Sequence, residues 1–276
     1  MRDFKISIEL DILKRTDLFC QLCSSILFLG LRFNSKKDDD MEFNEQTLLG
    51  RTGLMAGRLG IASGYGAPAA AIEEAFERGC NYMTWGTFMK GYSQHMREAV
   101  RNIIAKGQRD RMVLAMFSYA HQSFLTEHFF VKGLKSAGLD YADILILGFF
   151  PRRPSKRIID GVMRLKEKGL VRFIGLSGHN RKLFPQLHKD GIFDVFHIRY
   201  NAVHRGAETE SFPFLTGQPR PGVVNFTSTA WGKLLKPKKM PPGEQAPAAA
   251  ECYRFVLSHP AVDVCMTGPR TIDEMR

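Results

Sequence analysis

No stretch of this chain is apolar for long enough to cross a bilayer. The nearest approach, residues 18–33 (LFCQLCSSILFLGLRF), is short and interrupted by Gln21, Ser24 and Ser25, below the ~20 apolar residues a spanning helix needs. Lys14 and Arg15 precede it as they would in a signal peptide, but no convincing small-residue cleavage site follows. Cysteine is scarce. Cys20 and Cys23 form a lone C-x-x-C without a second pair or a nearby His cluster, so no metal site is expected. Cys80, Cys252 and Cys265 lie in apolar contexts and read as buried free thiols of a reducing, cytoplasmic compartment. No nucleic-acid recognition motif and no dense basic run is present either. The net charge of +11 lies entirely in residues 41–276, because residues 1–40 carry as many acidic as basic side chains. Such an excess suits an anionic small ligand such as a phosphorylated cofactor. Neither a membrane nor a nucleic acid is expected as a partner.

What the chain does have is alternation. An unbroken apolar run at 144–147 suits a strand buried on both faces. The helix after it repeats Ile159, Val162, Met163 and Leu165 on one stripe and ends at Gly169, and a second buried strand follows at 171–176. That is a βαβ unit, and the pattern repeats on both sides of it. Strands are predicted at 57–63, 81–86, 112–118, 194–201, 222–229 and 262–268, with helices at 69–79, 93–107, 126–138, 181–190 and 245–258. Eight alternations point to a (β/α)8 TIM barrel rather than its rival, an open doubly wound sheet. Residues 41–276 are close to the ~250 of a typical barrel. Residues 1–40 do not match the rest and read as a poorly packed or non-native extension upstream of Met41. The segment 202–221 contains Pro213, Pro219 and Pro221, so the sixth helix should shrink to a turn or two.

Specific motifs refine this reading. LGRTGLMAGRLGIASGYG (49–66), IEEAFERGCNYMTWG, GQRDRMVLAM, LDYADILIL, LKEKGLVRFIGLSGHN, YNAVHRGAE and CMTGPRT occur in one order along the chain. Together they resemble the aldo/keto reductase superfamily over essentially residues 41–276. The resemblance implies a TIM barrel with an N-terminal β-hairpin plugging its bottom, here LGRTGL with Gly53 at the turn. It also implies hydride transfer from NADPH to a carbonyl substrate, with a Tyr donating the proton and an Asp, a Lys and a His around it.

Carried over position by position, that tetrad is missing. Thr84 stands at the Asp position, Met89 at the Tyr, Phe117 at the Lys and Gly148 at the His. Losing a positioned general acid alone removes roughly 10²–10⁴ in rate. Substitute donors near the mouth are Tyr92 first, then Tyr119 and His121; Tyr82 shares the inward parity of Thr84 but lies deeper, where apolar packing is expected.

The cofactor side of the resemblance is better kept. Ser177 retains one of the two groups that hold the nicotinamide carboxamide, and His197 replaces a Gln with the same task. Phe226 stands where the family stacks a ring on the nicotinamide. The 227–235 turn, with Gly232 and Lys233, matches the loop over the pyrophosphate, and 268–271, with Gly268 and Arg270, the segment that takes the adenosine phosphate. Alone, Phe226 and His197 would equally suit a barrel core and Lys233 a solvated loop; their joint registration on one path carries the functional reading. NADP(H) is expected over NAD(H). The chain stops at Arg276, early in the eighth helix, so the site should be open or the chain a fragment. Two functions follow: an NADP(H)-dependent oxidoreductase acting on an unknown carbonyl substrate with a non-standard proton donor, or a nucleotide-binding barrel without turnover that serves as a sensor or partner subunit.

Overall fold

In a computed structural model, which describes residues 43, 45–86, 93–217 and 219–276, eight parallel strands close into a barrel. A two-stranded antiparallel hairpin comes first, β1 (Gln46–Leu48) and β2 (Met55–Gly57). The barrel strands follow in order: β3 (Leu59–Ala62), β4 (Tyr82–Gly86), β5 (Val113–Ser118), β6 (Ala142–Gly148), β7 (Val171–Gly178), β8 (Val195–Arg199), β9 (Gly222–Phe226) and β10 (Val264–Thr267). Each pairs in parallel with its successor, and β10 returns to β3. The helices between and after them are α1 (Ala69–Glu77), α2 (Ser93–Ala105), α3 (Ser123–Ala137), α4 (Lys156–Glu167), α5 (Leu183–Lys189), α6 (Ala207–Glu210), α7 (Ala249–Leu257) and α8 (Ile272–Met275).

Alternation along each strand divides the core in two. On β5, Val113, Ala115 and Phe117 face the barrel interior, where they join Ile144, Ile146, Val195 and Val224. Leu114 and Met116 point the other way, into the layer between strands and helices. All seven residues of β6 are buried, which is why its sequence reads as an unbroken apolar run rather than an alternating one. The sixth helix is the single short turn α6, followed by a 3₁₀ turn at Phe212–Phe214, as the prolines require.

The hairpin seals the N-terminal end. Leu49, Leu54 and Ala56 pack into the inner core, and the Asn81 amide ties β2 to the barrel, accepting from Gly57 N at 2.8 Å and donating to Met55 O and Arg111 O. Gly50 has φ 49°, and a Cβ there would lie 2.2 Å from Gly222 N; no other residue lets the turn meet β9 this closely.

Three buried carboxylates repeat one device on the same rim. Asp143 accepts from Leu114 N and pairs with Arg109 and Arg172. Asp194 accepts from Ile174 N and pairs with Arg51 and Lys166. Asp263 accepts from Val223 N and pairs with Arg220. Each locks neighbouring strands together at the end of the barrel that carries stability rather than chemistry. A cavity of about 430 Å³ beside Asp143 belongs to this rim.

Among the described residues no helix is long and apolar enough to cross a membrane. Cys252 and Cys265 are buried free thiols, while Cys80 is only half-buried. Residues 1–40 and their cysteines lie outside the described residues.

Candidate active site

Inward-facing residues at the C-terminal ends of the strands define the mouth, where barrels of this architecture assemble their chemistry. Thr84 is buried near the end of β4. Phe117 comes from β5, and Gly148 ends β6 directly beside Ser177 of β7. His197 lies beside Ser177 on β8, and Arg199, two residues further up, pairs in register with Phe226 of β9. Met89 and Tyr92 lie outside the described residues.

The absence of a side chain at Gly148 is put to use. The Tyr119 ring lies against the Gly148 backbone, so that a Cβ at 148 would sit 2.5 Å from it. From there aromatic rings run without a break around the mouth. Phe117 stacks on Tyr119 at 5.6 Å between centroids, Tyr119 meets Phe149 at 5.1 Å, Phe149 meets His179 at 6.3 Å, and His179 meets Phe226 edge-on at 5.6 Å. Burial, with a smaller contribution from the neighbouring Tyr65, pushes the Tyr119 phenol up to about 12. Its hydroxyl therefore stays protonated at any ordinary pH. His121 packs on the Phe150 ring at 4.3 Å.

Beneath this ring of aromatics, Tyr82 and His197 form a polar pair where packing alone was expected of Tyr82. The Tyr82 hydroxyl lies 2.7 Å from His197 Nε2 and both side chains are buried. Burial drives the imidazole pKa down to about 3 and the phenol well up, so a neutral histidine and a neutral tyrosine share the hydrogen bond. The edge of Phe117 closes over the His197 ring at 5.3 Å. His197 is thus buried below the mouth, with one of its nitrogens already committed to Tyr82.

The turn after β9 is held in strained backbone. Thr227, Ala230 and Trp231 all have positive φ (63°, 49° and 57°), and Phe149, at the end of β6, has φ 60°. Residues with a Cβ rarely adopt this region, and such outliers cluster at binding sites. Buried amides and hydroxyls maintain the geometry. Asn201 Nδ2 donates to Thr227 O at 2.8 Å, and Ser228 Oγ donates to Asn225 Oδ1 at 2.6 Å. Within the turn, Gly232 N donates to Thr229 Oγ1 and Lys233 N to Ala230 O. Lys233 is exposed. Across the mouth the Tyr65 ring covers Gly268, close enough to the exposed Arg270 for that charge to oppose the rise that burial gives the Tyr65 pKa.

Ser177, Arg199, Phe226, the 227–235 turn, Gly268 and Arg270 thus follow one another along one arc of the mouth. Thr84, Phe117 and Gly148 occupy the opposite arc and offer no ionisable group. Sequence reading missed Arg199, Asn201 and Asn225. Arg199 could have been found from parity, since period two on β8 turns residues 195, 197 and 199 inward. The cross-strand role of the two asparagines has no local signal, because the bonds that carry it, from Asn225 to Tyr200 O and from Asn201 to Thr227 O, span 25 and 26 residues.

No protein-family profile and no curated protein sequence matches the chain. Solved structures do. An aldo-keto reductase from Bacillus halodurans in its holo form superposes with a TM-score of 0.69 at 20% identity, covering 84% of this chain and 88% of that one. A Pseudomonas aeruginosa protein assigned, but not established, as an aldo-keto reductase gives 0.65 at 16% identity, covering 87% and 95%. The barrel is therefore of the aldo-keto reductase fold.

Proposed function

We propose that this barrel is an NADP(H)-dependent oxidoreductase of the aldo/keto reductase type that acts on a carbonyl compound without the family's usual tetrad. The observation that carries the proposal is the arc from Ser177 to Arg270, which brings a hydroxyl, an aromatic face, a strained turn and cations onto one side of the mouth. This donor set suits a dinucleotide: hydrogen-bonding groups and a ring for the nicotinamide, cations for the phosphates. NADPH, when bound, supplies a hydride. Ser177 would orient the carboxamide and Phe226 would offer its ring face. Gly232 and Lys233 would cover the pyrophosphate, and Arg270 would hold the adenosine phosphate.

The proton would come from Tyr119. Its ring fills the space above Gly148, and its phenol is protonated. The absence of a cation at Phe117 has a cost. With nothing to lower it, a phenol near 12 is a weak acid, so proton donation is slow. The competing reading, a nucleotide-binding barrel without turnover, is favoured by the loss of every ionisable group at Thr84, Phe117 and Gly148.

Steady-state assays with NADPH and a panel of aldehydes and quinones separate the two. Turnover about 10²–10⁴ below that of ordinary family members, lowered a further tenfold or more by Tyr119→Phe, supports the oxidoreductase. Turnover lowered by Tyr92→Phe instead moves the donor to Tyr92. Nucleotide binding with no turnover of any substrate supports the competing reading.

A further inference from the structure

The mouth holds one guanidinium that the protein itself does not satisfy. Arg199 ends β8 facing inward, beside Phe226. Among the described residues its Nε is buried without a hydrogen-bond partner. Nor does any ion pair among the described residues involve it; the acids of the following segment pair elsewhere, Glu208 with Arg205 and Tyr200 and Glu210 with Arg181. Desolvating a cation without a counter-charge is unfavourable. Here burial and then the Arg181 charge both lower its pKa.

The surroundings nevertheless fix this charge in place. The guanidinium lies over the Trp231 ring, 4.8 Å from its centroid. Its Nη2 donates to His204 Nε2 at 2.5 Å, so the proton of His204 is on Nδ1, which donates to Asn201 Oδ1 at 3.1 Å. Asn201 in turn donates to the carbonyl of Thr227. Arg199 is thereby coupled to the strained turn through His204 and Asn201, and directly through Trp231. Holding an unpaired cation rigidly beside a distorted loop makes physical sense if an anion completes the set.

We propose that Arg199 is an oxyanion-binding residue of the mouth, taking a carboxylate or phosphate group of a bound ligand. With Nε shielded and one Nη2 hydrogen committed to His204, its Nη1–Nη2 edge is left to take either group. The assignment rests on the nucleotide reading only for the choice between sources: a phosphate would belong to the dinucleotide, a carboxylate to an oxo-acid substrate. His204 is a positioning residue, kept neutral by burial and by the Arg199 charge, with a pKa near 4.

Calorimetric titration of the full chain with inorganic pyrophosphate, oxalate and NADPH tests this, comparing wild type with Arg199→Gln and with the exposed surface control Lys156→Gln. The expected result is wild-type binding of at least one of these anions that Arg199→Gln weakens tenfold or more and Lys156→Gln leaves unchanged. Loss confined to pyrophosphate and NADPH assigns the phosphate; loss confined to oxalate assigns an oxo-acid substrate. Wild type that binds oxalate or pyrophosphate through Arg199 but not NADPH sinks the nucleotide reading and keeps this one. Equal affinities in wild type and Arg199→Gln, or no binding of any of the three, overturn the proposal. Should Arg199→Gln fail to fold, phenylglyoxal labelling of the wild type read by mass spectrometry replaces it: protection of Arg199 by an anion supports the site, and equal labelling with and without anions overturns it.

Discussion

An imidazole sealed inside a barrel must be neutral and must be bonded. His197 is both, because the Tyr82 phenol hydrogen-bonds to it across the interior. Tyr82→Phe keeps the ring and removes the hydroxyl, leaving a buried nitrogen without its partner. The expected cost is roughly 1–3 kcal/mol, read as a lower urea midpoint with an unchanged slope. The pair also sets an acid limit. His197 has a folded pKa of about 3 against 6.5 for a free histidine. Between these values the unfolded chain carries the proton and the folded chain does not. The contribution is therefore complete above pH ~6.5 and is lost as pH falls toward 3, by up to about 1.4 kcal/mol per pH unit. In His197→Gln, which can still hydrogen-bond to Tyr82 but does not titrate, urea midpoints measured from pH 7 to pH 4 should fall less steeply than in wild type; identical slopes would show that His197 already carries its proton in the fold. Strand parity made Tyr82 legible as an inward residue. Its partner was not legible, because it stands 115 residues away and only barrel closure brings the two together.

At the scale of elements, the strands and helices were legible because each strand is either an apolar run or an alternation, and each long helix carries one stripe. The shortened sixth helix was legible from its prolines. The acidic residue at the start of β6, β8 and β10 was not read as a device, although it recurs as Asp143, Asp194 and Asp263. One carboxylate in an apolar run has no evident role until the neighbouring strand's N–H and an arginine from another element arrive. Asp263→Ala should leave Arg220, a cation largely shielded from solvent, without its partner and Val223 N without an acceptor. The expected loss is roughly 3 kcal/mol, visible as a lower unfolding midpoint with nucleotide binding at the opposite face unchanged. The turn after β9 was legible as a loop but not as a strained one. Nothing local puts Thr227, Ala230 and Trp231 at positive φ; Asn201 and Asn225 hold the turn there from outside it, through Thr227 O and Ser228 Oγ.

Over the whole molecule the two ends of the barrel divide the work. The N-terminal end concentrates paired charges: a hairpin plug, three buried carboxylates and the cations that neutralise them. The C-terminal end concentrates aromatic rings and cations that have no ion pair among the described residues, Arg199 and the exposed Lys233 and Arg270 among them. An excess of +11 distributed in this way favours anionic ligands at the mouth and makes their binding weaken with salt. The 2′-phosphate is what separates NADPH from NADH. Arg270→Ala should therefore narrow the preference between them by roughly 1.5–3 kcal/mol, with NADH affinity little changed; equal losses for both nucleotides would place Arg270 elsewhere on the ligand. The most direct test of the central claim is calorimetric titration of the wild-type chain with NADPH. Saturable one-to-one binding, tighter for NADPH than for NADH and weakened by salt, is the predicted result. An absence of heat up to millimolar NADPH, under conditions where the chain is folded, would contradict it.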